Sequence, residues 1–476
     1  MVKTLTPKKK SKKLRYFTYG IIAIIALAIA LVLFWDKLPY QSAAAGQIVK
    51  FLETQGIKVN SLKIKNLGTD AAEIYDVDLG EDRRLLLKNI LVSYQFKKLY
   101  EEQKVEAVEL QGLQLNMYQV VDKFWLGGIE KLMVTPAETK PEPLKLDFPA
   151  LLANAPEKLS IKDGELNIEL GNNAIKIPFD LNFTKSERSE ILLDIKQIDA
   201  SFGSMNISAS NLKILAKYDP EKQKFNGSLT AEKIKIINTD TDSEMPAIPD
   251  LKLLVDFSLT ADKLTADINA YSKDTVWKLL ANLDVPIAEP GLAQAQIKQV
   301  KFPYADGEIS AKVAKLPINL KKTIVAEVKL KNISLDDLMQ KVSDGKITGT
   351  GNINGTVPLK YYPDGRIEFG AGELKTDNDG IISVDPSMLP GDNEQMAIAR
   401  SALENFNYTI LKIGVSSKEG KLQLSLSLQG SNPEAFSGKQ IKLNVNLSGD
   451  VLPLIQQSIL PVNDIKQLLK EADSEK

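Results

Sequence analysis

The 476-residue chain contains no cysteine and no histidine. Without cysteine there is no disulfide framework and no thiolate nucleophile or metal ligand. Without histidine the commonest metal ligand and the commonest general acid–base are missing. Carboxylates are plentiful, but none stands in a recognisable catalytic constellation. The expectation is a non-enzymatic protein with no cofactor and no catalytic or metal site. Charge of one sign is also scarce. Seven of the 60 basic residues, and no acid, fall within the first 15 positions, leaving the remainder at a net charge of −8. A mildly acidic body without a basic patch argues against nucleic acid as a partner.

Long apolar runs are nearly absent too. The single exception is residues 17–35, uncharged from Phe17 to Trp35. As a helix it spans roughly 28 Å at ~1.5 Å per residue, enough for the hydrocarbon core of a bilayer. Tyr16, Tyr19 and Trp35 sit near its ends, where aromatic rings favour the interface. The basic tail, residues 1–16, predicts a cytoplasmic N-terminus with the body on the other side. The alternative is a cleaved signal peptide, since Ser42–Ala45 resembles a small-residue cleavage site, but the run exceeds a usual h-region. With one span and no charge inside it, a polytopic transporter of polar solutes is excluded.

What the chain has in abundance is alternation. Leu422, Leu424, Leu426 and Leu428 share one strand face with Gln423, Ser425 and Ser427 opposite. After a turn, Ile441, Leu443, Val445 and Leu447 repeat the pattern. Leu253, Val255, Phe257 and Leu259 do so in the middle of the chain, answered by Leu264, Ala266, Ile268 and Ala270. Period two places each set on one face of a strand. Similar signals fill residues 57–117 and 166–237. Helices are few: Ala43 to Thr54, one capped by Ser334 with Leu335, Leu338, Met339 and Val342 on one side, Met396 to Phe406, and Leu452 to Leu469. Residues 136–149 hold Pro136, Pro141, Pro143 and Pro149 among charges and read as a linker. The expected organisation is therefore a tail (1–16), a membrane helix (17–35), an N-terminal β region (36–135), the linker (136–149), a middle β region (150–276) and a C-terminal β domain (277–476).

Three motifs invite chemistry. Gly349 to Gly355 is spaced GxGxxxG and follows a helix rather than a strand, so glycine-rich strand turns account for it better than a phosphate loop. Asp377-Asn378-Asp379-Gly380 lacks the first acid and the closing glutamate of a calcium loop and reads as a turn. Asp240, Asp242 and Glu244 read as a solvated loop rather than a cation site. On pattern alone, the aliphatic stripes read as packed core.

Two stretches carry a resemblance. Ile333 to Pro386, with the Leu335/Leu338 helix, the Gly349-Thr350-Gly351 turn, Gly355-Thr356-Val357-Pro358-Leu359 and Gly372-Glu373-Leu374, resembles the core of the YdbH-type domain, also labelled a dicarboxylate transport domain. Ala402 to Gln457, with Phe406, Tyr408 and Gly430-Ser431-Asn432-Pro433, is similar to that family's closing segment. The apolar run followed by residues 46–68 resembles the opening of AsmA-like proteins. The resemblance implies an inner-membrane anchor and a mostly β, elongated, curled sheet forming a periplasmic groove. It also implies phospholipid as the cargo between inner and outer membranes of a Gram-negative envelope, and a small outer-membrane lipoprotein as partner. It brings no catalytic residues. In its light the stripes at Leu253–Leu259, Leu422–Leu428 and Ile441–Leu447 are expected to line a lipid groove. The competing function is a membrane-anchored scaffold for outer-membrane assembly that carries no lipid.

Overall fold

The computed structural model describes residues 41–450, apart from positions 103, 121–122, 131–145, 171–172, 203–204, 240–247, 290–291, 318–321, 344, 365, 390–393 and 419–420. The expected membrane helix at 17–35, the helix at 452–469 and the acidic loop at 240–244 lie outside the described residues. No helix among those described is long and apolar enough to cross a membrane.

Twenty-five strands join one sheet. The first part holds β1 (Val59–Leu67), β2 (Ala71–Leu79), β3 (Leu85–Ser93), β4 (Ala107–Gln111), β5 (Gln114–Val120) and β6 (Lys123–Leu126). The long middle runs β7 (Lys158–Leu170), β8 (Asn173–Thr184), β9 (Glu190–Phe202), β10 (Met205–Asp219), β11 (Lys224–Asn238), β12 (Leu251–Leu259) and β13 (Lys263–Tyr271). Next come β14 (Lys278–Pro286), β15 (Gln294–Tyr304), β16 (Gly307–Pro317) and β17 (Ile324–Ser334). The last part holds β18 (Ile347–Gly349), β19 (Asn352–Tyr361), β20 (Ile367–Phe369), β21 (Gly372–Thr376), β22 (Gly380–Val384), β23 (Phe406–Lys418), β24 (Lys421–Ser431) and β25 (Ile441–Asp450). Five α-helices are described: α1 (Gln41–Thr54), α2 (Phe96–Glu102), α3 (Phe148–Ala153), α4 (Leu335–Ser343) and α5 (Glu394–Leu403).

From β7 to β17 each strand pairs antiparallel with the next, as hairpin-spaced alternation dictates. Among the described strands, the one departure from antiparallel order joins the two sides of the expected linker. There β7 pairs in parallel with both β4 and β5. These pairings join the strands on either side of residues 131–157 in one sheet, which also continues past residue 277, where β14 joins β13 to β15.

Local chemistry sets the helix ends. Gly56, at a positive φ, closes α1, with its N–H donating to the Glu53 carbonyl and that of Ile57 to Leu52. Ser334 caps α4 by accepting from the Asp337 N–H at 3.2 Å. The same helix turns back at Gly345. The glycines after it serve turns: a Cβ on Gly351 would stand 2.6 Å from the Tyr408 hydroxyl.

The helices build two cores, one at each end of the sheet. At the first, Ile48 and Leu52 of α1 pack with Ile74, Ile90, Val92, Val108 and Leu110. At the second, Leu335 and Met339 of α4 and Leu403 of α5 pack with Ile353, Leu374, Ile382, Phe406, Ile413, Leu426 and Leu428.

Candidate apolar groove

The ladder register decides which residues share a face. One row of direct partners runs Leu181, Leu193, Ile214, Leu229, Val255, Ile268, Ala281, Ile297, Val313, Ala326 and Leu359, across eleven strands from β8 to β19. Every member is aliphatic. Parallel to it, Phe257 faces Ala266, which faces Leu283 and then Ala295. The opposite face of the same strands carries Asp256, Asp267, Asn282 and Gln296 as partners of one another. Ion pairs lie across that outer face, including Lys298 with Asp267 and Lys263 with Asp284. These pairs are half-exposed or more and add little stability. The sheet therefore has one continuous aliphatic face and one wet face.

What covers the aliphatic face changes along the molecule. At the start α1 lies on it, and at the end α4 and α5 do. Between them, β13–β16 form no core cluster among the described residues. Their buried apolar positions are Ala266, Ala270, Ala281 and Val313. The larger side chains, Ile268, Leu279, Leu283 and Ile297, remain half-exposed. A buried alanine here is shaded by bigger neighbours on the adjoining strands, not by a second layer. Alanines interrupt the rows of larger residues, so the face is corrugated.

The sequence-expected lining residues divide between these environments. Leu253, Val255, Phe257 and Leu259 are half-exposed on the aliphatic face. Leu426 and Leu428 are 4% and 0% exposed inside the second core. Leu422, Leu424, Ile441 and Leu443 are half-buried against that same core. Val445 and Leu447 continue the row as register partners of Leu426 and Leu424. The described part of the C-terminal stripe thus packs into the same core that α4 and α5 join, a long-range arrangement that alternation cannot reveal.

The sequence reading missed most of β14–β17. Each of these strands has an alanine among its inner positions, Ala281, Ala295, Ala311 and Ala326, which weakens the hydrophobic contrast. Bulges also break the period: β15 slips between Leu280/Ala281 and its partner, so Ile297 is followed on the same face by Val300. Asn211, Asp163 and Asn332 sit at positive φ within β10, β7 and β17, near register shifts recorded in β7 and β17. The Asp180 carboxylate accepts from the Asp163 N–H, and the Asn354 side chain accepts from that of Asn332. Such bulges sharpen the local twist of a strand.

Titration is displaced at the end cores. Burial pushes the phenols of Tyr94 and Tyr408 above their ordinary value. Tyr94 donates to the Gly68 carbonyl at 2.7 Å and Tyr408 to that of Thr350 at 2.5 Å. Among the described residues no group of three or more acidic side chains is arranged to hold a metal ion. Gly349 ends β18, Thr350 and Gly351 link it to β19, and Gly355 lies within β19, whereas Asp377–Gly380 makes the turn between β21 and β22, with Asp377 accepting from the Asn354 amide.

Residues 275–471 match the YdbH-like family, described as "Intermembrane phospholipid transport protein YdbH". The matched region opens just before β14 and takes in the second core. No curated protein and no solved structure matches the chain.

Proposed function

The C-terminal region of this chain is YdbH-like, and from that premise we propose that the protein carries phospholipid between the two membranes of a Gram-negative envelope. The acyl chains lie along the open aliphatic face and the headgroup stays in water at the rim. Residues 17–35 anchor the chain in the inner membrane, with residues 1–16 cytoplasmic and the body periplasmic.

The observation that carries this reading is the aliphatic row from Val255 to Ile297, in which Val255, Ile268 and Ile297 stay half-exposed around the buried Ala281. A sheet face this apolar is ordinarily covered, since each buried CH₂ is worth about 0.8 kcal/mol. Here the described residues cover both ends and leave the centre open. Acyl chains have the chemistry and the shape to fill it, and no step requires a nucleophile or a proton. The groove-lining residues we assign are Leu253, Val255, Phe257 and Leu259 with Ile268, Leu283 and Ile297. In the C-terminal stripe, Leu426 and Leu428 close that end as packed core, with Leu422, Leu424, Ile441 and Leu443 against them.

Lipid mass spectrometry of the periplasmic body, purified without detergent, is expected to find co-purifying phospholipid. A lipid-free, fully folded body would favour the scaffold instead, in which the sheet serves assembly without holding lipid.

A further inference from the structure

Among the described residues, the one stretch of the open face with an occupant of its own is the rim formed by the ends of β10–β12. Residues 146–153, which contain α3, lie across it. Phe148 is buried there against Tyr218 and Phe225, with ring centroids 6.3 and 5.1 Å away. Leu146, Leu151 and Leu152 join the same cluster, and so do two groove positions, Phe257 and Leu259. By register Tyr218, Phe225 and Leu259 all stand on the aliphatic face.

The attachment is light. Leu146 donates its N–H to the Ala261 carbonyl at 2.9 Å. Lys185 donates to the carbonyls of Ala153 and Ala155 at 3.0 and 3.1 Å. Asp147 caps the first turn by accepting from the Ala150 N–H, and Pro149 starts it without needing a donor partner. No strand pairing holds the segment. Open clefts of about 390 and 360 Å³ flank it on its two sides.

We propose that residues 146–153 are a strap that stands in for acyl chains on the aliphatic face and gives way to them, so that its release opens a lateral portal at β10–β12. This rests on the lipid-groove reading. The strap presents the same chemistry as its competitor: one ring and three leucines on an apolar surface, with the Leu146 N–H and the Ala153 carbonyl bonded at the rim. Lipid arriving at Phe257 and Leu259 therefore displaces Phe148 and the leucines without uncovering the face to water.

The test uses the full chain reconstituted in vesicles of phosphatidylethanolamine and phosphatidylglycerol. A photo-reactive phenylalanine analogue replaces Phe257 in one protein and Ile297, away from the strap, in another. Each is compared with and without the double substitution Phe148→Ala, Leu152→Ala. At Phe257 the expected product in the native background is a link to the strap peptide. In the variant that link falls several-fold and the lipid adduct rises several-fold. At Ile297 the lipid adduct is expected to be the same in both backgrounds. Equal lipid capture at Phe257 in both backgrounds, with Ile297 active, overturns the strap alone. A silent Ile297 sinks the groove reading and the strap with it. Should the double variant fail to fold, Leu152→Ala alone carries the same comparison.

Discussion

Two leucine-rich stripes that look alike along the chain meet different fates one side chain at a time. Leu426 is 4% exposed beneath the helices of the second core, whereas Val255 stays half-exposed on the open face. An aspartate at 426 buries a carboxylate with no partner, which costs several kcal/mol and unfolds the C-terminal end. An aspartate at 255 reaches solvent and costs little in folding, but sets a charge across the path of acyl tails. We expect Leu426→Asp to lower the melting temperature by about 10 °C or more, using the usual relation between ΔΔG and Tm. Val255→Asp should melt within a few degrees of the native protein and fail to carry lipid. Matching melts for the two variants, read by circular dichroism, would show that the two stripes share one environment. Tyr408 offers a second test. Burial raises its pKa above the value of 10 it has when unfolded. The unfolded state therefore loses its proton first as pH rises, so the stability this group contributes is complete below pH 10 and is lost as pH climbs through the folded value. The alkaline loss of stability should shrink in Tyr408→Phe, which also forfeits the hydrogen bond to Thr350, worth about 1 kcal/mol. An unchanged alkaline profile in that variant would place the titration elsewhere.

At the scale of elements, the bulged strands set how the sheet turns. Asn211 holds a left-handed backbone at φ +53 in the middle of β10, and its amide donates to Glu232 of β11 at 2.9 Å. Asparagine tolerates that conformation and alanine does not, at a difference of about 1 kcal/mol. Asn211→Ala should destabilise by about that much in denaturant melts, and Asn211→Gly by less. If alanine and glycine cost the same, the side-chain bond to Glu232 is the larger effect. These elements also mark what was legible beforehand. The clean alternation of Leu253–Leu259 and Leu264–Ala270 gave away β12, β13 and their pairing. The Ser334 cap and the Leu335 stripe gave away α4. The bulges at Asp163, Asn211 and Asn332 were hidden because a single left-handed residue leaves both flanking runs looking like ordinary strands. The strap was hidden because Phe148 and Pro149 close a proline-rich stretch that reads as connection. The parallel pairing of β7 with β4 and β5 joins residues on either side of that stretch, and no local signal encodes it.

At the scale of the molecule, about 20 strand positions lie side by side from β1 to β25. Strands repeat every ~4.8 Å, so the row extends on the order of 90 Å. Such a ladder keeps every backbone group paired along its length while leaving one face free, which a layered sandwich cannot do. The account's central claim is that this free face, between its two plugged ends, holds phospholipid tails. The most direct test is site-specific photo-crosslinking in cells from adjacent positions on the same strands. Inner positions Val255, Ile268 and Ile297 should capture phospholipid, and outer positions Asp256, Asp267 and Gln296 should not. Capture without regard to face, or none from the inner positions of a folded protein, would contradict it.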